Sequence, residues 1–406
     1  MPMPDATVEE TIDTFNAGMG ADGDASPYPT INALRAQAAV HPGWPEGGIP
    51  GADAGGPAMY TAYSYAAVRA VFGDGETFSS KVYEAVTGPL MGRTILEMDE
   101  PEHRLYRQLQ APAFARVSMD RWEADLVRPL VERTVEGFRD RGRADLVHEL
   151  FLPVPIQVIA ALLGLPEADI PEFHRLGMQL IGFRYDMDAA VAASQRLREY
   201  FSQLLADRRR EPRDDMVTVL AEVELDGVRL TEDEVIGFLR NLLPAGGETT
   251  SRSSASLAYA LLTHPDQLDA VRADRTLLPA AIEEGLRWET PLLNFMRGVT
   301  ADTEVEGVTI PAGSTIMVNL GSANHDPARW NDPETFDIFR ERKAHVGFGH
   351  GVHQCLGMHL ARLESTVMFT TLFDQLPGLR LDPEAPAPFI SGTIFRSPPR
   401  LDVVWD

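Results

Sequence analysis

The chain has 406 residues, 44% hydrophobic and 24% charged, with a formal net charge of −24. That composition is ordinary for a globular protein with a sizeable core, and so acidic a chain argues against general nucleic-acid binding, which needs a basic face. No run reaches the ~18–20 apolar residues of a spanning helix, the N-terminus carries no signal or anchor pattern, and a single cysteine fits a reducing cytoplasm.

Residues 1–24 are polar and acidic and predict a segment ordered in part at best, ahead of one large domain over 25–406. Thr30 to Ala39 reads as a short helix, and the Pro/Gly-rich stretch 45–57 as loop. Ala58 to Tyr63 is strand-like, and Tyr65 to Phe72 has helical spacing. Phe78 to Glu97 has no clean period and reads as surface loop. From Glu97 the acids and Pro101 suit the first turn of a helix. His103 and Arg107 are four apart and share one face of it. Such a pair can clamp a carboxylate pair, although a solvated face is its usual fate. Arg104, Arg116 and Arg121 add a basic island.

Apolar residues recur at helical spacing over 124–145, over 156–163 and over 170–206 with a break near Gly182 to Asp188. Thr231 and Glu234 form a capping box. The helical pattern behind it meets Pro244-Ala245-Gly246-Gly247-Glu248-Thr249 and resumes at Ser254. By propensity alone the proline and glycines end a helix there, giving two helices joined by a turn. Ala280 to Arg287 is helical, with Glu284 and Arg287 at i,i+3, alone an everyday pair worth at most ~0.5 kcal/mol. Residues 305–318 read as a hairpin turning at Pro311-Ala312-Gly313.

The only cysteine stands in Phe348-Gly349-His350-Gly351-Val352-His353-Gln354-Cys355-Leu356-Gly357. Inert filler would not need three glycines beside it. At that density they let the backbone take positive φ and approach something bulky. A helical pattern starts at Met358, and a helix N-terminus favours a thiolate over a thiol. A zinc site lacks further cysteines and a His-Glu-x-x-His, and c-type haem attachment lacks Cys-x-x-Cys-His.

Phe348-x-x-Gly351-x-His353-x-Cys355-x-Gly357 resembles the haem-ligand loop of the cytochrome P-450 family. Ala245-Gly246-x-Glu248-Thr249, Glu284-x-x-Arg287 and the segment Asn331 to Arg340 resemble further motifs of that family, in its order, so that the resemblance spans roughly residues 25–406. It implies a mainly α fold, a large helical domain with a smaller β-rich lobe, and haem b between one long central helix and the cysteine loop. That helix would be distorted at 245–249, glycine giving room beside the iron, while Pro244 departs from the usual pattern. The resemblance further implies Cys355 as axial iron ligand, Thr249 and Glu248 as proton donors, Glu248 relaying from solvent, and His103, Arg107, Arg297 and His353 on the propionates. Phe348, Gly349, Gly357, Ala245 and Gly246 would pack against the haem. Leu90, Ile95, Leu180, Phe183, Leu242, Leu293, Phe295 and Ile394 would line the substrate pocket. Glu284, Arg287 and Arg340 would form a buried structural cluster. The implied activity is insertion of one oxygen atom from dioxygen into an apolar organic molecule, with electrons from a separate ferredoxin and reductase. A peroxide-driven haem-thiolate enzyme and a non-catalytic haem sensor are the alternatives, and the Thr249/Glu248 pair argues against both.

Overall fold

The structure, a computed structural model, describes residues 7–18, 20, 26–44, 57–114 and 116–406. The predicted loop over 45–57 and the side chain of Arg116 fall outside that description, apart from Pro57 itself.

Helices dominate. Those that position the site are α1 (Val8–Gly18), α2 (Tyr28–Gln37), α3 (Tyr65–Gly73), α4 (Glu102–Gln110), α5 (Pro153–Leu162), α6 (Ile170–Ile181), α7 (Met187–Arg210), α8 (Glu232–Thr263), α9 (Leu278–Trp288) and α10 (Met358–Gln375). The break predicted near 182–188 is the turn between α6 and α7. Within the segment 1–24 the described part is mainly helix α1. Thr11, Ile12 and Phe15 are buried along one face of α1, which packs against α6. Three apolar contacts on a short polar helix leave a weak periodic signal.

α8 runs unbroken for 32 residues, about 48 Å at 1.5 Å per residue. Thr231 and Glu234 close the capping box that starts it. Pro244 sits in its interior, where a proline costs about 3 kcal/mol. The helix survives because it is clad by α5, α6, α7 and α9. Val235, Ile236, Leu239, Leu242 and Leu243 are all buried, and tertiary packing of this kind outweighs local propensity. Gly246 lies on the wall of the cavity that holds Cys355, and both glycines have a further use. A Cβ on Gly246 would lie 2.6 Å from Ile159 Cδ1, and one on Gly247 would lie 3.3 Å from Ile156 Cδ1. They let α5 approach closely.

The β-rich lobe is one five-stranded sheet of β1 (Val40–Pro42), β2 (Met59–Ala62), β3 (Phe78–Ser79), β4 (Asn294–Val299) and β7 (Thr315–Asn319), with a small hairpin β5 (Thr303–Val305) and β6 (Val308–Ile310) beside it. The sheet order is β1-β2-β7-β4-β3, with β2 and β7 parallel and the other neighbours antiparallel. The hairpin turns at Glu306-Gly307, not at Pro311-Ala312-Gly313. Both residues take positive φ, +51° and +81°, as a two-residue hairpin turn requires. The later Pro-Ala-Gly turn instead delivers the chain into β7.

Two buried ion-pair clusters tie the lobe and the cysteine loop to α9. Arg287 donates to both oxygens of Glu284 at 2.7 Å and to the carbonyls of Asn324, Pro333 and Thr335. Arg340 Nε reaches Glu284 Oε1 at 3.3 Å. This is the predicted three-residue cluster, buried rather than solvated. The second cluster has no counterpart in the sequence reading. Arg396 Nε donates to Glu289 Oε1 at 2.7 Å, and Tyr28 Oη donates to the same oxygen at 3.0 Å. It holds the C-terminal turn against α2 and α9.

Glu284→Gln leaves two guanidinium groups without their counter-charge, and a loss of about 3–5 kcal/mol is expected. Urea melts measure it, and an unchanged midpoint would contradict the structural role. His325 gives a pH dependence. Burial drives its imidazole down to about 3 against the pull of the Gly321 carbonyl, where an unfolded histidine titrates near about 6.5. Between those values the unfolded chain binds a proton that the fold refuses. This part of the stability is therefore complete above pH ~6.5 and lost as the pH falls toward ~3. His325→Gln removes that loss, so the stability of the variant relative to wild type should rise between pH 7 and pH 4.5.

Candidate active site

The cysteine loop is shaped by glycine where the backbone demands it. Gly351 takes φ +75°, and a Cβ there would lie 2.3 Å from the Phe72 carbonyl oxygen on α3. Gly349 takes φ +71°. The Cys355 N–H donates to the Phe348 carbonyl at 2.9 Å. Arg362, one residue into the second turn of α10, is held by Glu283 at 2.6 Å and stacks 4.6 Å above the Phe348 ring. Cys355 opens onto a cavity and is enclosed by protein elsewhere. Burial pushes its thiol up. The Gly357 N–H and the cations Arg107 and Arg362 pull it back without overcoming burial. The helix terminus alone therefore does not make the thiolate that the sequence predicts there. A coordinated metal ion deprotonates a thiol outright.

The cavity has a volume of about 370 Å³. The cysteine loop forms one wall, with Phe348, Gly349, His353, Cys355 and Gly357. α8 forms the other, with Ala245, Gly246 and Thr249. Thr249 Oγ1 donates back to the Ala245 carbonyl at 2.7 Å. At one end lies a cluster of nitrogen donors. Arg107 Nη2 donates to the Gln354 carbonyl at 2.6 Å. The His103 and His353 rings stand 4.1 Å apart between centroids. His353 Nε2 lies 3.0 Å from Ser80 Oγ, and burial holds this imidazole down to about 3. His103 is itself buried, and its Nε2 has no partner. Arg297 is 4% exposed. It donates to the Met296 carbonyl at 2.7 Å and stacks 5.2 Å over Phe72, with no carboxylate in ion-pairing distance among the described residues.

Glu248 departs from expectation. It is absent from the cavity wall and 3% exposed. Its carboxylate lies 3.6 Å from His174 Nε2 on α6 and 3.2 Å from Arg252 Nη2. Burial would raise its pKa, but these two partners hold it below the ordinary value. Arg252 in turn donates to Asn16 Oδ1 on α1 at 2.9 Å and to Ser397 Oγ at 3.1 Å. Glu248 is thus locked into a buried network, not set facing solvent.

Of the predicted pocket residues, Ile95, Leu242 and Phe295 line the cavity. Leu90, Leu180, Leu293 and Ile394 do not, but Met91, Ile181, Leu292 and Phe395, each one residue on or back, do. The error is one of phase. Leu292 and Phe395 face each other across an isolated bridge, and adjacent residues of extended chain point to opposite sides. Leu293 and Ile394 are turned into the core, as Leu180 is on its helix. Phe183 packs against that core from the turn after α6. Phe114, Ile159, Phe238 and Asn241 line the cavity without having been foreseen; Asn241 and Ala245 carry the signal, eight and four residues before Thr249 on one helix face.

The residues present fit haem. A lone sulfur faces the cavity as a soft metal ligand. The buried, uncompensated Arg297 guanidinium and the Arg107 guanidinium, both on the cavity wall, suit an anionic partner such as a propionate pair, while His103 stacks behind His353 and is not itself on that wall. Together with the fold they define a haem-thiolate oxidoreductase. The comparisons agree. The cytochrome P-450 family profile matches residues 183–377. The cytochrome P-450 monooxygenase PikC of Streptomyces venezuelae is 38% identical over 379 residues, 90% of this chain and 87% of that protein. A steroid C26-monooxygenase of Mycolicibacterium smegmatis is 36% identical over 77% of this chain and 79% of its own length. The crystal structure of CYP109Q5 from Chondromyces apiculatus superposes with a TM-score of 0.84 at 32% identity, covering 94% of this chain and 95% of that one. The chain belongs to the cytochrome P-450 family: it is a monooxygenase whose cofactor is haem b.

Cys355→Ser should abolish the strongly red-shifted Soret band of the reduced carbon monoxide complex; its survival would remove Cys355 from the iron. Arg297→Leu removes the buried cation without opening a solvent path. Haem content, read as the Soret-to-protein absorbance ratio after purification, should fall several-fold, while an unchanged ratio would place the propionates elsewhere.

Proposed function

We propose that this chain inserts one oxygen atom from dioxygen into an apolar small molecule, with two electrons supplied by a ferredoxin and its reductase. The observation that carries the reading is the cavity itself, lined largely by apolar side chains, with Cys355 on one wall and Thr249 on the other. Bound haem supplies the redox chemistry, and the protein orients the substrate around it. His103, Arg107, Arg297 and His353 would hold its propionates, and Cys355 its iron.

The chain's own residues manage protons and water. The Thr249 hydroxyl, tethered to Ala245, presents its oxygen to the cavity and can hold a water there. Glu248, next to Thr249 in sequence but off the cavity wall, would take part in proton delivery through its contact with His174. Phe72, Phe295, Phe238 and Leu242 keep the remainder of the cavity dry. This hydroxyl-and-carboxylate pair supports the dioxygen reading over a peroxide-driven enzyme, which would not need it.

Several features support the choice of substrate and donor. One solved relative, CYP109E1 of Bacillus megaterium, holds testosterone, with a TM-score of 0.83 at 28% identity. Together with the steroid monooxygenase above it favours a bulky apolar molecule. A single cysteine cannot hold an iron–sulfur cluster in this chain. The face behind Cys355 carries exposed Val352 and the cations Arg69 and Arg104, which suits an acidic ferredoxin. No helix among the described residues is long and apolar enough to cross a membrane, in keeping with a cytoplasmic site of action.

Turnover driven by ferredoxin and reductase tests the reading. Thr249→Val should keep substrate binding while about tenfold more of the electrons end in hydrogen peroxide instead of product. Equal coupling in the variant, or full turnover with peroxide alone, would favour the peroxide-driven alternative.

A further inference from the structure

On the α8 wall of the cavity the polar residues are Asn241, Thr249, Thr250 and Ser253, and Asn241 stands two turns or more before the other three. Asn241 lies on α8 four residues before Ala245 and eight before Thr249, so the three share one helix face. All three line the cavity. Phe238 and Leu242 flank it on α8, Phe114 packs on Phe238, and all three line the cavity. The Asn241 amide is half-buried and has no hydrogen-bond partner in the protein among the described residues. The other polar groups nearby are engaged: Thr249 on Ala245, Arg297 on Met296, Arg107 on Gln354. An amide that lines a cavity with both its donor and its acceptor unused by the protein is free to bind a polar group of a ligand.

We propose that Asn241 is a specificity-determining residue that binds a neutral hydrogen-bonding group of the substrate, a hydroxyl or a ketone or amide carbonyl. The proposal rests on reading this cavity as a haem-thiolate substrate pocket. The amide both donates and accepts, so it takes either kind of group. It carries no charge, and the cavity's guanidinium groups, Arg107 and Arg297, lie on the side of the cysteine loop and β4. A carboxylate or ammonium is therefore not the partner. Eight residues of helix put Asn241 about 12 Å along the axis from Thr249. The substrate is then an apolar body whose polar group is held apart from the carbon that is oxidised, and Asn241 sets which carbon that is. A site that hydrogen-bonds a substrate group rejects analogues lacking it far more strongly than an apolar wall does.

Iron-binding azoles test this without knowledge of the natural substrate. The probes are 1-alkylimidazoles with four to ten methylenes, each paired with its ω-hydroxy counterpart, and the readout is the dissociation constant from the Soret shift of the oxidised holoprotein. In wild type the penalty for the terminal hydroxyl should vanish at one chain length. In Asn241→Leu it should return there, weakening the hydroxy compound about tenfold relative to its alkyl partner. Asn241→Ser, which is shorter but still polar, should move the favoured length upward and guards against a misfolded leucine variant. Normal Soret shifts with no length-dependent effect of the hydroxyl, or the same effect in all three proteins, overturn the role of Asn241 alone. No azole-induced shift at all overturns the haem-thiolate reading, and this proposal with it.

Discussion

Arg287 is a guanidinium almost without water, and the place of the cysteine depends on it. It joins Glu284 on its own helix to three carbonyls of the segment leading to the cysteine loop. Asn324, one of those three, also accepts the Val346 N–H through its side chain at 2.9 Å and is braced by Thr290. From Val346 the chain runs directly into Gly349 and Cys355. A buried charge gains from this arrangement only because all its donors are used. Rotation of α9, or loss of the Glu284 carboxylate, would therefore be transmitted to the sulfur.

The electrostatics of the cavity are organised around a ligand that carries both an anionic end and a metal. Arg297 is buried with a carbonyl and an aromatic face for company, His103 keeps an unsatisfied nitrogen, and burial disfavours the Cys355 thiolate. Each of these is unfavourable alone. A haem b bound with its iron at Cys355 and its propionates at Arg297 would offset the cost of the thiolate and of the buried guanidinium. A group that binds there only in the folded state would stabilise the fold by mass action.

On the far side of α8 the same economy joins four elements. Arg252 touches α1 through Asn16, the C-terminal turn through Ser397, and Glu248 one turn back. It also lies over the rings of Phe15 and Phe395 at 5.4 and 5.6 Å. Glu248 meets α6 through His174. Helix α6, the N-terminal helix and the Glu248 carboxylate are therefore parts of one buried hydrogen-bonded unit. Movement of α6 cannot leave the surroundings of Glu248 unchanged.

The sequence by itself determined the elements whose chemistry is local. The glycines around Cys355, the Thr231–Glu234 cap and the His103/Arg107 spacing each state their role within a few residues, because backbone conformation and helix-face geometry are short-range. It also identified the family, whose motifs are separated by chain but fixed in order. Tertiary structure decided the remainder. Pro244 stays inside a continuous helix because α5, α6, α7 and α9 enclose it, which no local propensity encodes. Gly246 and Gly247 answer to Ile159 and Ile156, about ninety residues earlier. Glu248 turned from a solvent relay into a buried ion-pair partner because His174 and Arg252 converge on it. The pocket was misread by one residue at Leu90, Leu180, Leu293 and Ile394 because composition names an apolar segment, while only packing sets which of two neighbouring side chains faces the core and which the cavity.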